Sequence, residues 1–322
     1  MPRLSIGIDI GGQSSKCGVV TQGGTILEQS VVTSLIDNFN EYLDLLTETI
    51  KDLIHKTANR GIVVGIGIGA PNANYLDGTI RYAPNLKWAR DAQGKPCIVH
   101  LADRLQQATG LHVSITNDAN AAALGERTYG VAQGIDDFIM ITLGTGVGSG
   151  IITNGSLLYG HDGFAGELGH VCVVPGGEGR QCNCGLRGCL ETYASATGVA
   201  RSAREILEKD PRESLLRSLD PLKITSKDIY DAAVKGDAIA KEIFAFTGRM
   251  LGRALADFVK FSSPQAIVLF GGLTKSREFF HDEMVKAMDD NLMQIWKGKI
   301  QILYSSLKES DAAILGASSM VW

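Results

Sequence analysis

Three cysteines fall within eight residues, Cys182, Cys184 and Cys189, and His170 stands twelve positions before the first of them. This is the most specific pattern in the chain. Three thiolates and one imidazole complete the four-coordinate shell of structural zinc. Glycines between them allow the tight turns that gather the sulfurs. A redox pair at Cys182 and Cys184 is the competing reading, but it leaves Cys189 and His170 without a role. Cys172 is a substitute ligand ranked below His170. With no coordination position open, such a zinc is structural. Two acids, Glu167 and Glu191, bracket the loop. Cys17, Cys97 and Cys172 are scattered and fit small apolar packing positions. That cysteine usage suits a reducing cytoplasm better than a disulfide scaffold.

At 322 residues the chain exceeds the usual single domain, so two lobes are expected. A net charge of -4 offers no general attraction to nucleic acid or to an anionic membrane. The strand pattern begins near Leu4, so neither a signal peptide nor a DNA-reading helix is expected ahead of it. The apolar runs are too short to span a bilayer. A cytoplasmic location is therefore expected. Glycine is abundant, 38 residues, and clusters after apolar runs, a placement common in phosphate-handling turns.

Alternation predicts strands over 4–10, 16–20 and 25–32, a hairpin followed by a meander strand. Helical spacing runs over 38–56, capped by Asp37 or Asn38. A buried strand over 63–68, a helix over 93–109, a strand over 113–116 and a helix over 119–129 follow. The pattern then starts again, with strands over 138–143 and 147–153 closed by Asn154-Gly155. Residues 16–23 resemble 148–155, a weak internal repeat. Helices are expected over 190–194, 197–209, 226–235, 237–261, 279–288 and 311–321, with strands over 266–270 and 300–304 and a polar connector over 211–225. Strands alternating with helices in both halves make this an α/β protein.

Asp9-Ile10-Gly11-Gly12-Gln13-Ser14-Ser15-Lys16 lies between two strands, so it is neither a P-loop nor a dinucleotide fingerprint. A hairpin tip of this kind can aim backbone N–H groups at phosphate oxygens, with Lys16 adding a charge. Asp9 can hold Mg²⁺ through water. Alone, the motif reads better as an ordinary hairpin turn. Gly144-Thr145-Gly146-Val147-Gly148-Ser149-Gly150 is a second such turn, equivalently placed in the second half. Two together imply a phosphate chain gripped between lobes. Gly271-Gly272 is either a close approach to a nucleoside or a plain turn. Asn117-Asp118 ends a strand and opens a helix, so Asp118 is either an N-cap or a base for a hydroxyl nucleophile.

These residues together resemble the ROK family (repressors, open reading frames and kinases), and within it the bacterial glucokinase branch. The resemblance covers essentially the whole chain. It is carried by Asp9-Ile10-Gly11-Gly12 with Lys16, Gly69-Ala70-Pro71, Ala83-Pro84-Asn85-Leu86-Lys87-Trp88, Asn117-Asp118-Ala119-Asn120-Ala121-Ala122, Leu143-Gly144-Thr145-Gly146, Gly166-Glu167-Leu168-Gly169-His170, and the cysteine loop through Glu191. It implies an actin-like ATPase fold: two ribonuclease-H-like lobes, ATP and sugar in the cleft between them, and a structural zinc loop over 170–189. The N-terminal lobe would be 1–118, joined by the C-terminal helix at about 305–322, and the C-terminal lobe 119–304.

By that resemblance Asp118 deprotonates the 6-hydroxyl of a hexose, glucose foremost. Asn85, Asn117, Glu167, His170 and Glu191 hold the sugar hydroxyls. Gly11, Gly12, Gln13, Lys16, Thr145 and Gly146 cradle ATP phosphates, and Gly271 and Gly272 face the nucleoside. His170, Cys182, Cys184 and Cys189 bind zinc, and Asp9 holds Mg²⁺ through water. His170 has two jobs, one ring nitrogen on the metal and the other toward sugar. The first turn departs from the family in one place: Gln13 stands where Thr is usual, so Ser14 or Ser15 is expected to supply the hydroxyl. Other hexoses or N-acetylhexosamines (N-acetylmannosamine, N-acetylglucosamine, allose, fructose) are the alternative substrates, and a non-catalytic sugar-sensing regulator is the alternative class. No nucleic acid or membrane partner is expected; the family implies a homodimer or homotetramer.

Overall fold

The computed structural model describes the backbone of residues 1–322 and every side chain except those of 309 and 310. The alternation at the N-terminus forms β1 (Arg3–Ile10), β2 (Ser14–Thr21) and β3 (Ile26–Thr33), an antiparallel meander. α1 (Phe39–Thr57) follows, and its cap is Asn38, whose side chain accepts from the N–H groups of Asn40 and Glu41. Leu43, Leu46, Ile50 and Leu53 recur at helical spacing and are all buried. Then come β4 (Ile62–Gly69), the short strands β5 (Ala73–Asn74), β6 (Thr79–Arg81) and β7 (Ile98–Val99), α2 (Leu101–Thr109), β8 (Val113–Thr116) and α3 (Asp118–Tyr129). The helix expected over 93–109 begins only at Leu101. Ahead of it the Asp91 side chain accepts from the N–H groups of Gln93 and Lys95 at 2.9 Å each, a local turn that competes with helix.

The second half contains β9 (Phe138–Leu143), β10 (Val147–Thr153), β11 (Ser156–Leu157), α4 (Glu191–Ala194), α5 (Ala196–Lys209), α6 (Ser226–Val234), α7 (Ala238–Ser262), β12 (Ala266–Phe270), α8 (Arg277–Asp290), β13 (Gln301–Tyr304) and α9 (Glu309–Ser319). The connector over 211–225 holds one 3-10 turn, Leu215–Ser218. The first sheet has the order β3-β2-β1-β4-β8 and the second β11-β10-β9-β12-β13. Each is a hairpin edge, a central strand and two further strands, with β1, β4 and β8 parallel, and β9, β12 and β13 parallel. The faint sequence repeat is thus a repeat of topology. Each sheet is ribonuclease-H-like, and the pair is the actin-like ATPase fold.

By packing the chain forms two units. The first is Met1–Asp136, Gly150–Ala165 and Ser305–Trp322; the second is Asp137–Ser149 and Gly166–Tyr304. The division falls after Asp136 rather than at 118, because α3 packs against α9. Among the described residues no helix is long and apolar enough to cross a membrane.

In the first unit, β1 is the central strand, and Leu4, Ile6, Ile8 and Ile10 are buried within it. α9 lies so close to this sheet that side chains are excluded. A Cβ on Gly67 would stand 1.8 Å from the carbonyl oxygen of Ala317, and one on Gly7 would stand 2.0 Å from that of Ile314. These strand glycines therefore serve the seating of a helix, not a phosphate turn. Gly67→Ala should push α9 off the sheet and cost about 3 kcal/mol of stability, read from urea unfolding.

Candidate functional site

In the first unit the sheet delivers Asp9, Gly69 and Thr116 to neighbouring positions. Asp9 pairs with Gly69 across β1 and β4, and Gly69 with Thr116 across β4 and β8. All lie at the carboxyl ends of parallel strands, where open α/β sheets bind ligands. Asn117 and Asp118 follow directly. The cap of α3 is Asn117, whose side chain accepts from Ala119 N–H at 2.9 Å. Asp118 Oδ1 accepts from the same N–H at 2.8 Å, while its side chain remains solvent-accessible. The protein crowded around it nevertheless desolvates the carboxyl and pushes its pKa up, opposed by the N–H of Ala119.

Asp9 is raised from 3.8 to about 6, first by burial, then by Asp118, with Lys16 opposing. Lys16 is its cross-strand partner. The turn between them brings Gly12 against Asn85: a Cβ on Gly12 would meet the Asn85 carbonyl oxygen at 2.9 Å. Gln13 is exposed, its carbonyl accepting from Ser34 N–H. Ser15 cannot replace the missing hydroxyl. It is fully buried, and its Oγ lies 2.9 Å from Ser34 Oγ and 2.7 Å from Tyr42 Oη. Ser14 is partly exposed. The hydroxyl at this turn is therefore narrowed to Ser14.

In the second unit His170, Cys182, Cys184 and Cys189 converge, their ligand atoms all within 4.8 Å of one another. Cys184 and Cys189 sulfurs are 3.7 Å apart, and Cys182 Sγ is 3.8 Å from His170 Nδ1. Thiolates about 2.3 Å from a tetrahedral ion would stand about 3.8 Å apart, so the set fits zinc. Burial, and then the neighbouring thiols, push Cys189 up to about 12. Three thiolates at this spacing need a cation to be stable together. Cys172 stands outside the cluster, its thiol donating to the Val174 carbonyl. His170 Nε2 points the other way, 4.0 Å from Glu167 Oε2.

Glu191 opens α4 two residues after Cys189. Its Oε2 accepts from Val147 N–H at 3.1 Å, and its Oε1 lies 3.8 Å from Cys182 Sγ. Thr145 is exposed at the tip of the turn between β9 and β10. Gly271 follows β12 with φ 103, against the Leu143 carbonyl at the end of β9. The fold therefore brings the expected residues together in two groups, Asp9, Lys16, Asn85, Asn117 and Asp118 in the first unit and the metal ligands with Glu167, Glu191, the Gly144 turn and Gly271 in the second.

Sequence reading gave no role to Arg180. It is 7% exposed, stacks 4.4 Å from the Tyr193 ring centre, and donates to Glu205, Ser202 and the carbonyls of Thr192 and Gly198. It anchors the loop two residues before Cys182. Only a buried arginine inside a polar loop signalled it, and burial is not visible in one sequence.

Residues 5–322 match the ROK family. The glucokinase of Thermotoga maritima is 36% identical, over all of this chain and 98% of its own length. A crystal structure of a ROK family glucokinase from Streptomyces griseus, in complex with glucose and AMPPNP, is 35% identical with a TM-score of 0.76, covering 98% of both chains. Regulators are similar as well: the xylose repressor of Caldicellulosiruptor bescii is 29% identical, matching 93% of this chain and 73% of the repressor. Two sheets of one topology, a histidine–cysteine cluster and a match over nearly the full length place the chain in the ROK family.

Proposed function

We propose that this chain is an ATP-dependent hexose kinase that phosphorylates the 6-hydroxyl, with glucose the preferred acceptor. The observation that carries the reading is Asp118: an accessible carboxylate at the carboxyl end of the parallel strands, with one oxygen on Ala119 N–H and the cap of α3 shared with Asn117. The likeness to glucokinases along the whole chain supports it.

Asp118 accepts the proton of the sugar 6-hydroxyl as that oxygen attacks the γ-phosphorus. A carboxylate with a raised pKa is a stronger base than an ordinary one. Asn85, Asn117, Glu167, His170 Nε2 and Glu191 hold the other hydroxyls. A buried carboxylate or amide left unpaired by a missing or inverted hydroxyl is costly, and that gives selectivity. Phosphoryl transfer depends on alignment and charge stabilisation. Gly11, Gly12, Gln13, Lys16, Thr145 and Gly146 supply donors for the phosphates, and Gly271 and Gly272 allow the nucleoside a close approach. Asp9 takes Mg²⁺ through water: its carboxyl, strained toward protonation by burial and by Asp118, ionises readily beside a dication. Zinc, held by His170, Cys182, Cys184 and Cys189, supplies rigidity and no chemistry. The working location is the cytoplasm and the assembly a homodimer or homotetramer.

A coupled assay of ADP release over glucose, mannose, fructose, allose, N-acetylglucosamine and N-acetylmannosamine tests the reading. Turnover should be highest with glucose. Turnover confined to an N-acetylhexosamine would move the substrate, and none with any sugar would contradict the kinase reading.

A further inference from the structure

The segment that carries Glu191 also grips the glycine turn expected to hold phosphate, at three points. Glu191 Oε2 accepts from Val147 N–H at 3.1 Å. Thr197 Oγ1 donates to the Thr145 carbonyl at 2.8 Å. Ala196 N–H donates to the Gly144 carbonyl at 2.9 Å. The segment is itself braced: Ser195, fully buried, donates its hydroxyl to the Glu191 carbonyl at 2.7 Å and accepts from Gly198 N–H at 3.0 Å. Gly146 completes the fit. A Cβ there would stand 2.1 Å from Glu191 Oε2, so the carboxylate occupies the space a side chain would need.

A turn of glycines is the softest backbone in a protein, and an unanchored one would lose entropy on closing around phosphate. Bonding two successive carbonyls and one N–H from outside spends that entropy at folding instead of at binding. The bonds also orient the peptide planes. With the Gly144 and Thr145 carbonyls drawn toward α5, the N–H groups of Thr145 and Gly146, which share those trans peptide planes, turn to the opposite side, where an anion would be met. Neither Thr197 nor Ala196 need touch the ligand for this to work.

We propose that residues 191–197 are a strap that preorganises the 144–147 turn, with Thr197 a positioning residue for the nucleotide and Glu191 a joint shared by the nucleotide and sugar sides. The proposal rests on the kinase reading above for what the turn binds. Thr197 is exposed and its side chain fills no core; its hydroxyl also lies 3.0 Å from that of Ser195, the cap of α5, so the melting temperature separates an effect on the turn from one on the helix start.

The test compares Thr197→Val, Thr197→Ser and Gly146→Ala with the wild type, in AMPPNP titration calorimetry and in steady-state kinetics with ATP and glucose varied separately. Thr197→Val should weaken AMPPNP binding and raise the KM for ATP by about 3- to 5-fold, the scale of one exposed hydrogen bond. The KM for glucose and the melting temperature should stay put, and Thr197→Ser should restore the wild-type values. Gly146→Ala displaces the Glu191 carboxylate, so it should raise both KM values. Wild-type AMPPNP affinity in Thr197→Val, equal impairment of Thr197→Ser, or glucose and ATP KM rising together in Thr197→Val would overturn the strap. Failure of the wild type to bind AMPPNP would instead contradict the kinase reading.

Discussion

Asp118→Asn should lower kcat by about 10²- to 10⁴-fold while leaving glucose affinity nearly unchanged. The amide keeps the size of the carboxylate and one acceptor oxygen but cannot take the proton of the attacking hydroxyl. Because Asn117 accepts from Ala119 N–H and the new amide oxygen can still do so, the substitution leaves the helix start intact, and the unfolding midpoint should not fall. It should rise slightly, since burial disfavours the charge that the mutation removes. Activity of the wild type should decline as pH drops through about 6, where Asp9 takes up a proton and gives up its cation. The stability effect has the opposite direction. A carboxyl raised from 3.8 to about 6 adds stability that is fully present below 3.8 and is lost as pH rises through about 6. Lower pH should therefore cost activity while these two acids add stability. A mutant retaining near-full kcat would remove Asp118 from the chemistry.

The second large effect is expected from the metal cluster. Cys189→Ser should lower bound zinc from about one per chain to a small fraction, measured by mass spectrometry of the purified protein. The KM for glucose should rise about 10- to 100-fold, the range seen when the support of a metal-held group is lost. The link is short. Cys189 is fully buried, its carbonyl accepts from the Thr192 hydroxyl at 2.8 Å, and Glu191 lies between them in the chain. His170 loses the partner that fixes its ring, so Nε2 no longer holds its place beside Glu167. The fold should persist, because the cores of both sheets are built from residues far from the loop. Unchanged glucose affinity in metal-free protein would show that the loop does not shape the sugar site.

How much of this was legible beforehand differed by the kind of signal. The metal ligands were readable because thiol spacing within one loop needs no tertiary information, and all four converge. The long strands and amphipathic helices were readable from periodicity. Strands of two residues such as Ala73–Asn74 and Ile98–Val99 carry no period and passed unseen. Glycine misled in part: Gly7 and Gly67 sit in strand interiors to admit the backbone of α9, a helix more than 240 residues downstream of Gly67 in the sequence. Ser15 looked available for phosphate and is locked in a buried hydroxyl cluster with Ser34 and Tyr42. Asn117 and Asp118 both reach Ala119 N–H, at 2.9 and 2.8 Å, a sharing set by dihedral angles and not by residue type. Arg180 and the grip of Thr197 on Thr145 join segments distant in sequence and were beyond any local pattern.

The central claim is that ATP's terminal phosphate passes to the sugar 6-oxygen. Phosphorus NMR of wild-type protein with ATP, Mg²⁺ and glucose tests it directly. The account predicts one new phosphomonoester resonance, coupled to the C6 protons of glucose, growing in step with ADP. ADP appearing with inorganic phosphate alone, or ATP left unconsumed, would contradict it.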